Sequence, residues 1–144
     1  MTNPSTHRWT VRPIYLELLV LLIFTAIICS FFPEMVYEGK IPNGGDVNGI
    51  YYPQLKFLSD ELHSGRFPFW NPYIFSGTPF FANPHTGSAH LPHLLFFSLF
   101  PAERAFGWDM AFHFILAGWF TYLLLRLYNT SRPAALLSGV CFML

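Results

Sequence analysis

Charge is what this sequence has least of. Only 11% of its 144 residues are Asp, Glu, Lys or Arg, against roughly a quarter in a typical soluble domain. A soluble domain of this length leaves roughly a third of its unfolded surface in water. Eight basic and eight acidic side chains are too few to coat that surface, which argues against a compact soluble enzyme. The net charge of +0 provides no field to attract phosphate backbones, so no nucleic-acid partner is expected. Cysteine is scarce as well. Cys29 and Cys141 both fall in apolar runs, so no disulfide framework is implied. Internal repeats and low-complexity stretches are also missing. What is present is apolar: 53% of the residues are hydrophobic, and 17 are Phe. That content excludes disorder and points to a membrane protein.

Residues 18–32 carry no charge, and extension back to Ile14 adds only Glu17. About twenty apolar residues at ~1.5 Å each cross the ~30 Å hydrocarbon core, so 14–32 is expected to be a first transmembrane helix. Pro13 suits its first turn, and Pro33 ends it. A signal peptide is the rival reading, with Arg8 and Arg12 as its basic region. The apolar stretch exceeds the usual ~7–15 residues of such a peptide, and no small-residue cleavage site follows. An uncleaved anchor is therefore expected. Residues 105–127 form a second span, with Asp109 near the interface. Trp108, Trp119, Tyr122 and Tyr128 are placed like an aromatic belt. Residues 134–144 begin a third span that is too short to cross, so the chain is expected to be the amino-terminal piece of a longer protein.

The Lys/Arg bias sets orientation. Arg8 and Arg12 precede the first span, and Arg126 and Arg132 follow the second. Residues 1–13 and the short loop 128–133 are therefore expected on the cytoplasmic side, and 33–104 outside. The fold class expected is an all-α polytopic membrane protein with a large outer loop.

That loop holds most of the information. Residues 42–49 are rich in Gly and Asn and read as turns. Ile50, Tyr51, Leu55, Leu58 and Leu62 are spaced for one face of an amphipathic helix over 50–63, with Gly65 as its stop. Prolines 68, 72, 79 and 84 then exclude a long regular element. Phe67, Phe69, Trp70, Tyr73, Phe75, Phe80 and Phe81 are interleaved with them, as in an ordered loop pressed on the membrane interface. Residues 91–100 are apolar but short, which suits an interfacial helix.

Asp46 is the sharpest candidate for chemistry. It stands among Gly44, Gly45 and Gly49 just beyond the first span. A carboxylate there could serve as general base for a hydroxyl acceptor, worth ~10²–10⁴-fold, while glycines let a substrate approach the backbone. The plainer reading is an Asp in an ordinary turn. Asp46 and Asn48 are a weak pair for a hard cation. Trp70 and Asn71 could hold a sugar by stacking and hydrogen bonding, or could simply build a turn at the interface. His85, His90 and His93 lack a standard metal spacing and an acidic or thiol companion, and read as interfacial hydrogen-bonding groups. Asp109 and His113 are four apart on one helix and could pair. Glu17 reads as reaching to the interface.

Gly45-Asp46, Tyr51-Tyr52-Pro53, the amphipathic helix, Gly65-Arg66-Phe67-Pro68-Phe69-Trp70-Asn71-Pro72, Gly77-Thr78-Pro79 and Ala82-Asn83-Pro84-His85-Thr86-Gly87 occur in that order. Together with residues 92–101, this series resembles the start of YfhO-type bacterial membrane proteins, which are similar to the GT-C glycosyltransferase superfamily. His90 departs from the aromatic residue expected at its position. The resemblance implies many transmembrane helices, a bacterial inner-membrane location and a polyprenyl-phosphate-linked sugar donor. It further implies an extracytoplasmic glycan or protein acceptor, and in many such enzymes a divalent cation. It places the catalytic carboxylate at Asp46. Candidate substrate contacts are Tyr51, Gln54, Trp70, Asn71, Asn83 and His85. The competing class is a non-enzymatic polytopic protein, either a transporter or flippase component or a scaffold. A transporter would bury ionisable residues near the membrane midplane. An enzyme of the expected kind keeps its acid at the outer face.

Overall fold

The computed structural model describes residues 14–144. The expected cytoplasmic N-terminus 1–13, with Arg8, Arg12 and Pro13, lies outside the described residues. The described chain is mostly helical. Helix α1 (Ile14–Phe31) follows directly from the first apolar run and matches its expected bounds to within one residue. Its sequence leaves no polar face. Only a stripe of Val20, Phe24 and Ile28, one per turn, is buried by protein, while Leu18, Leu19, Leu22 and Phe31 face outward. Pro33 ends α1, yet the chain re-enters helix at once as α2 (Pro33–Tyr37). Proline is tolerated at a first helical position because its missing N–H would be unpaired there anyway.

Helix α5 (Ala102–Leu127) starts three residues before the expected second span. Pro101 stands at its N-cap, and Glu103 occupies the first turn, where the helix dipole favours an acid. Its 26 residues extend about 39 Å. A turn with Asn129 in the left-handed region leads to α6 (Arg132–Met143). Pro133 in the first turn of α6 explains its start two residues ahead of the expected boundary. Helices α1 and α5 are both long and apolar enough to cross a membrane.

The amphipathic helix α3 (Tyr52–His63) is preceded by a π-helical turn, Val47–Tyr51. Gly45 and Asp46 are already helical. Helical structure thus begins five residues before the expected start at Ile50, and the second half of the supposed turn region is helix. Pro53 accounts for the wide turn. In an α-helix its ring would collide with the carbonyl of Gly49 and leave that carbonyl unpaired. Widening relieves the collision, and the Tyr52 N–H reaches back to the Val47 carbonyl instead.

The proline-rich segment holds a two-stranded antiparallel ladder, β1 (Trp70–Asn71) with β2 (Thr78–Pro79). A 3₁₀ turn, Pro84–Thr86, leads to α4 (Leu91–Leu99). Helix α4 covers the short apolar run 91–100, less its last residue.

Two hydrophobic cores result. One gathers Val20, Phe24, Ile28, Met35, Ala111, Tyr122, Ala135 and Met143 from α1, α2, α5 and α6. The other gathers Leu55, Leu58, Phe80, Phe97, Ala102, Ala105 and Phe106 from α3, α4, the loop and the start of α5. Helix α5 is common to both. Tyr122 is fully buried in the first core, so it does not serve as the belt residue expected. Trp108 is also turned inward: its indole N–H donates to the Val36 carbonyl at 2.8 Å. Both carboxylate oxygens of Glu17 are shielded from solvent, and Glu17 lies beside Tyr122 instead of reaching outward.

Small residues set the helix spacing. A Cβ on Gly139 would stand 2.7 Å from the Gly118 carbonyl and 2.6 Å from the Phe24 ring. A Cβ on Gly107 would stand 2.5 Å from the Met35 carbonyl oxygen. Gly107→Ala is therefore expected to push α2 off α5 and to cost roughly 1–3 kcal/mol, the usual penalty of overpacking. Thermal unfolding of the purified variant in detergent measures this, with an unchanged midpoint contradicting the packing account.

Candidate functional site

The core of α3, α4 and the start of α5 leaves a cavity of about 430 Å³ between the π-turn, the 3₁₀ turn and the helices α4 and α5. That volume lies within the range of small-molecule sites. Its walls include Val47, Tyr51 and Leu55 from the first side, Pro84, His85 and Gly87 from the second, and His93, Phe106, Asp109 and Met110 from the helices. The lining is mainly apolar and, among the described residues, contains no Lys or Arg.

Four of the candidate substrate residues meet at one edge of this cavity. The Asn83 amide donates to Gln54 Oε1 at 3.3 Å, and Asn83 Oδ1 accepts from the His85 backbone N–H at 3.0 Å. The His85 ring stands edge-on to Tyr51, with centroids 6.4 Å apart. The start of α3 and the 3₁₀ turn are thereby locked together. Trp70 and Asn71 belong elsewhere, on the small ladder. Trp70 lies over Gly77 and is half-exposed. Asn71 is buried, and its Oδ1 accepts the Tyr73 N–H at 2.9 Å. Asn71 thus braces a turn of its own loop. An Asn two residues ahead of a backbone N–H forms such turns readily.

Asp46 lies at the helix start, next to Val47 of the cavity wall, and is exposed. No hydrogen bond or ion pair engages its carboxylate among the described residues. Asn48 donates its amide to Asn43 Oδ1 at 2.8 Å. Among the described residues no three His, Cys, Asp or Glu side chains form a metal-holding group. Among the described residues no second carboxylate joins Asp46 and Asn48, so the pair falls short of a cation-holding group.

The strongest constellation lies at the α4–α5 contact. Asp109 is buried, its side chain only 6% exposed. Its Oδ2 accepts from His93 Nδ1 at 2.9 Å. Its Oδ1 is shielded and has no hydrogen-bond partner. His113, the partner expected from helical spacing, donates Nδ1–H to the Asp109 backbone carbonyl at 2.7 Å and comes no closer than 3.6 Å to the carboxylate. His90 completes the group, with its ring 5.2 Å from His93 and 5.0 Å from His113. Three histidines thus surround one buried carboxylate. His85 stands apart from them, with Tyr51. The His93–Asp109 pair escaped sequence reasoning because each residue was assigned to a separate element. Their equal distance from Pro101, eight positions on either side, is the signal of a helical hairpin that would have revealed it.

Nearby, α3 is tied to α5 by the Tyr52 hydroxyl, which donates to Glu103 Oε1 at 2.6 Å. Burial, and then that carboxylate, push the Tyr52 hydroxyl up to about 12.

Comparison of the chain with protein-family models, with curated proteins and with solved structures gives no match in any of the three.

Desolvation, followed by the repulsion of His93 and His113, holds the His90 imidazole below its ordinary 6.5, against an opposing pull from Asp109. The fold thus favours the neutral ring. Its contribution is complete above pH 6.5 and is lost as pH falls through the lowered value. Between about pH 7 and about pH 5 the thermal midpoint is expected to drop more for the parent chain than for His90→Gln. Equal slopes for the two would refute this.

Proposed function

We propose that this chain forms part of an integral membrane glycosyltransferase-like protein that uses a polyprenyl-phosphate-linked sugar and an extracytoplasmic acceptor. The observation that carries the reading is the site itself. A helix-borne acid, Asp46, immediately precedes Val47 in the wall of a mostly apolar cavity edged by Tyr51 and His85, in a folded segment that joins two helices long enough to span. The ordered YfhO-like motifs fall within that same segment. On this reading α1, α5 and α6 belong to a polytopic bundle in a bacterial inner membrane. Arg126 and Arg132 mark the cytoplasmic ends of α5 and α6, and the core of α3 and α4 faces the far side.

The proposed chemistry is one displacement. The acceptor oxygen attacks the anomeric carbon, and its proton passes to the Asp46 carboxylate. The bond from the anomeric carbon to the phosphate oxygen breaks, and its electron pair leaves with the lipid phosphate. No step here is routed through a cation, since the donor set around Asp46 does not make a site for one. The transporter reading draws on Glu17, whose shielded carboxylate lies between α1 and α5, as functional ionisable groups inside membranes do. It leaves the cavity among α3, α4 and α5 without a role.

In the native membrane-integrated protein, Asp46→Asn is expected to reduce sugar transfer from a polyprenyl-phosphate donor at least a hundredfold without loss of insertion. Radiolabelled sugar transfer in membranes, alongside immunoblotting, measures both. Undiminished transfer by this variant would sink the base assignment.

A further inference from the structure

The cavity wall carries a directed hydrogen-bond acceptor that the proposed reaction does not use. Asp109 Oδ2 can only accept, so the proton it shares with His93 sits on Nδ1. On the neutral ring the other nitrogen, Nε2, is then a lone-pair acceptor. No hydrogen bond engages it among the described residues. Its position is fixed from both sides. A Cβ on Gly87 would lie 2.6 Å from His93 Cδ2 and 2.9 Å from Nε2, so only glycine lets this ring edge lie against the turn. Gly87 has φ +59, which also favours glycine. Gly87, His93 and Asp109 all line the cavity.

We propose that this cavity is a sugar-ring subsite in which His93 Nε2, oriented by Asp109, accepts a hydrogen bond from a ligand hydroxyl. Resting on the glycosyl-transfer reading, the assignment specifies where the neutral part of the substrate sits. Three features select that chemistry. The free group is an acceptor, so the ligand must bring a donor. A carboxylate stands in the wall with no Lys or Arg among the described lining residues, which disfavours a phosphate and leaves that group outside. Val47, Leu55, Phe106 and Met110 supply apolar surface for the C–H faces of a ring, while Tyr51 adds a hydroxyl-bearing ring to the lining. His93 is here a binding residue and Asp109 a positioning residue, which holds the imidazole tautomer by the logic of a buried acid behind a histidine.

The test uses this chain in lipid nanodiscs, with histidine ring nitrogens labelled for ¹⁵N NMR. The probes are an alkyl glycoside, an alkyl phosphate of the same chain length and an alkyl amine. The expected result is an unprotonated Nε2 resonance for His93 that shifts on addition of the glycoside and not of the phosphate or the amine. Asp109→Asn presents an amide donor to Nδ1 and moves the proton to Nε2. That variant is expected to retain its helical circular dichroism, to show the reversed tautomer and to bind the glycoside about tenfold more weakly. His93→Gln is expected to lose similar affinity. A His93 resonance unmoved by glycoside, an equal response to alkyl phosphate, or a preference for the amine would each overturn the assignment. Transfer activity is assayed separately in native membranes. Activity with an unmoved His93 defeats the subsite alone. A sugar-responsive His93 without transfer defeats the glycosyl-transfer reading and leaves a carbohydrate-binding site.

Discussion

The whole arrangement depends on α5 serving two cores at once. Its first two turns hold Ala102, Ala105 and Phe106 in the core shared with α3 and α4, and its later turns hold Ala111 and Tyr122 among α1 and α6. A helix is stiff over such a length, so a position in one core sets the position in the other. Gly107 lies between these two regions and admits the α2 backbone. The adjacent Trp108 secures it by bonding to the Val36 carbonyl. Asp109 follows directly, where the two packing environments meet, and its burial is a consequence of that placement.

Much of this was legible in the residues. Continuous apolar runs predict α1 and α5 because a helix without a polar face needs an apolar surround. The spacing of Leu55, Leu58 and Leu62 predicts α3 because it repeats with the helical turn. Boundaries were less legible. Gly44, Gly45 and Asn48 read as a turn by local preference, whereas tertiary packing of Val47 against the core of α3 and α4 draws this stretch into helix. The π-turn is a compromise between that demand and Pro53, and composition alone does not register it. The aromatic belt failed for the same reason at Tyr122: periodicity places a residue on a face but does not say whether lipid or another helix covers that face.

The site divides along a similar line. Tyr51, Gln54, Asn83 and His85 were singled out by motif and do converge, because one turn and one helix start are stitched by the Asn83 side chain. Asn71 was singled out for its chemistry, yet that chemistry is used within its own loop. Asp109 was expected to pair along its helix with His113. That pair is present at 3.6 Å, but the closer bond runs across the hairpin to His93, since the i+4 imidazole donates to a backbone carbonyl. A preference for local partners fails where a neighbouring helix presents a better-aimed donor.

The turn at Pro101 has a kinetic consequence. Because α4 folds back on α5 there, His93 and Asp109 are only sixteen positions apart, as close in sequence as the arms of an ordinary helical hairpin. Closing so short a loop costs little entropy, and contacts of low sequence separation form early. The imidazole–carboxylate pair can thus be set as soon as the first turns of α5 form, before α6 has been made. The strands and turns upstream then assemble onto a wall that already carries its polar group in the correct orientation.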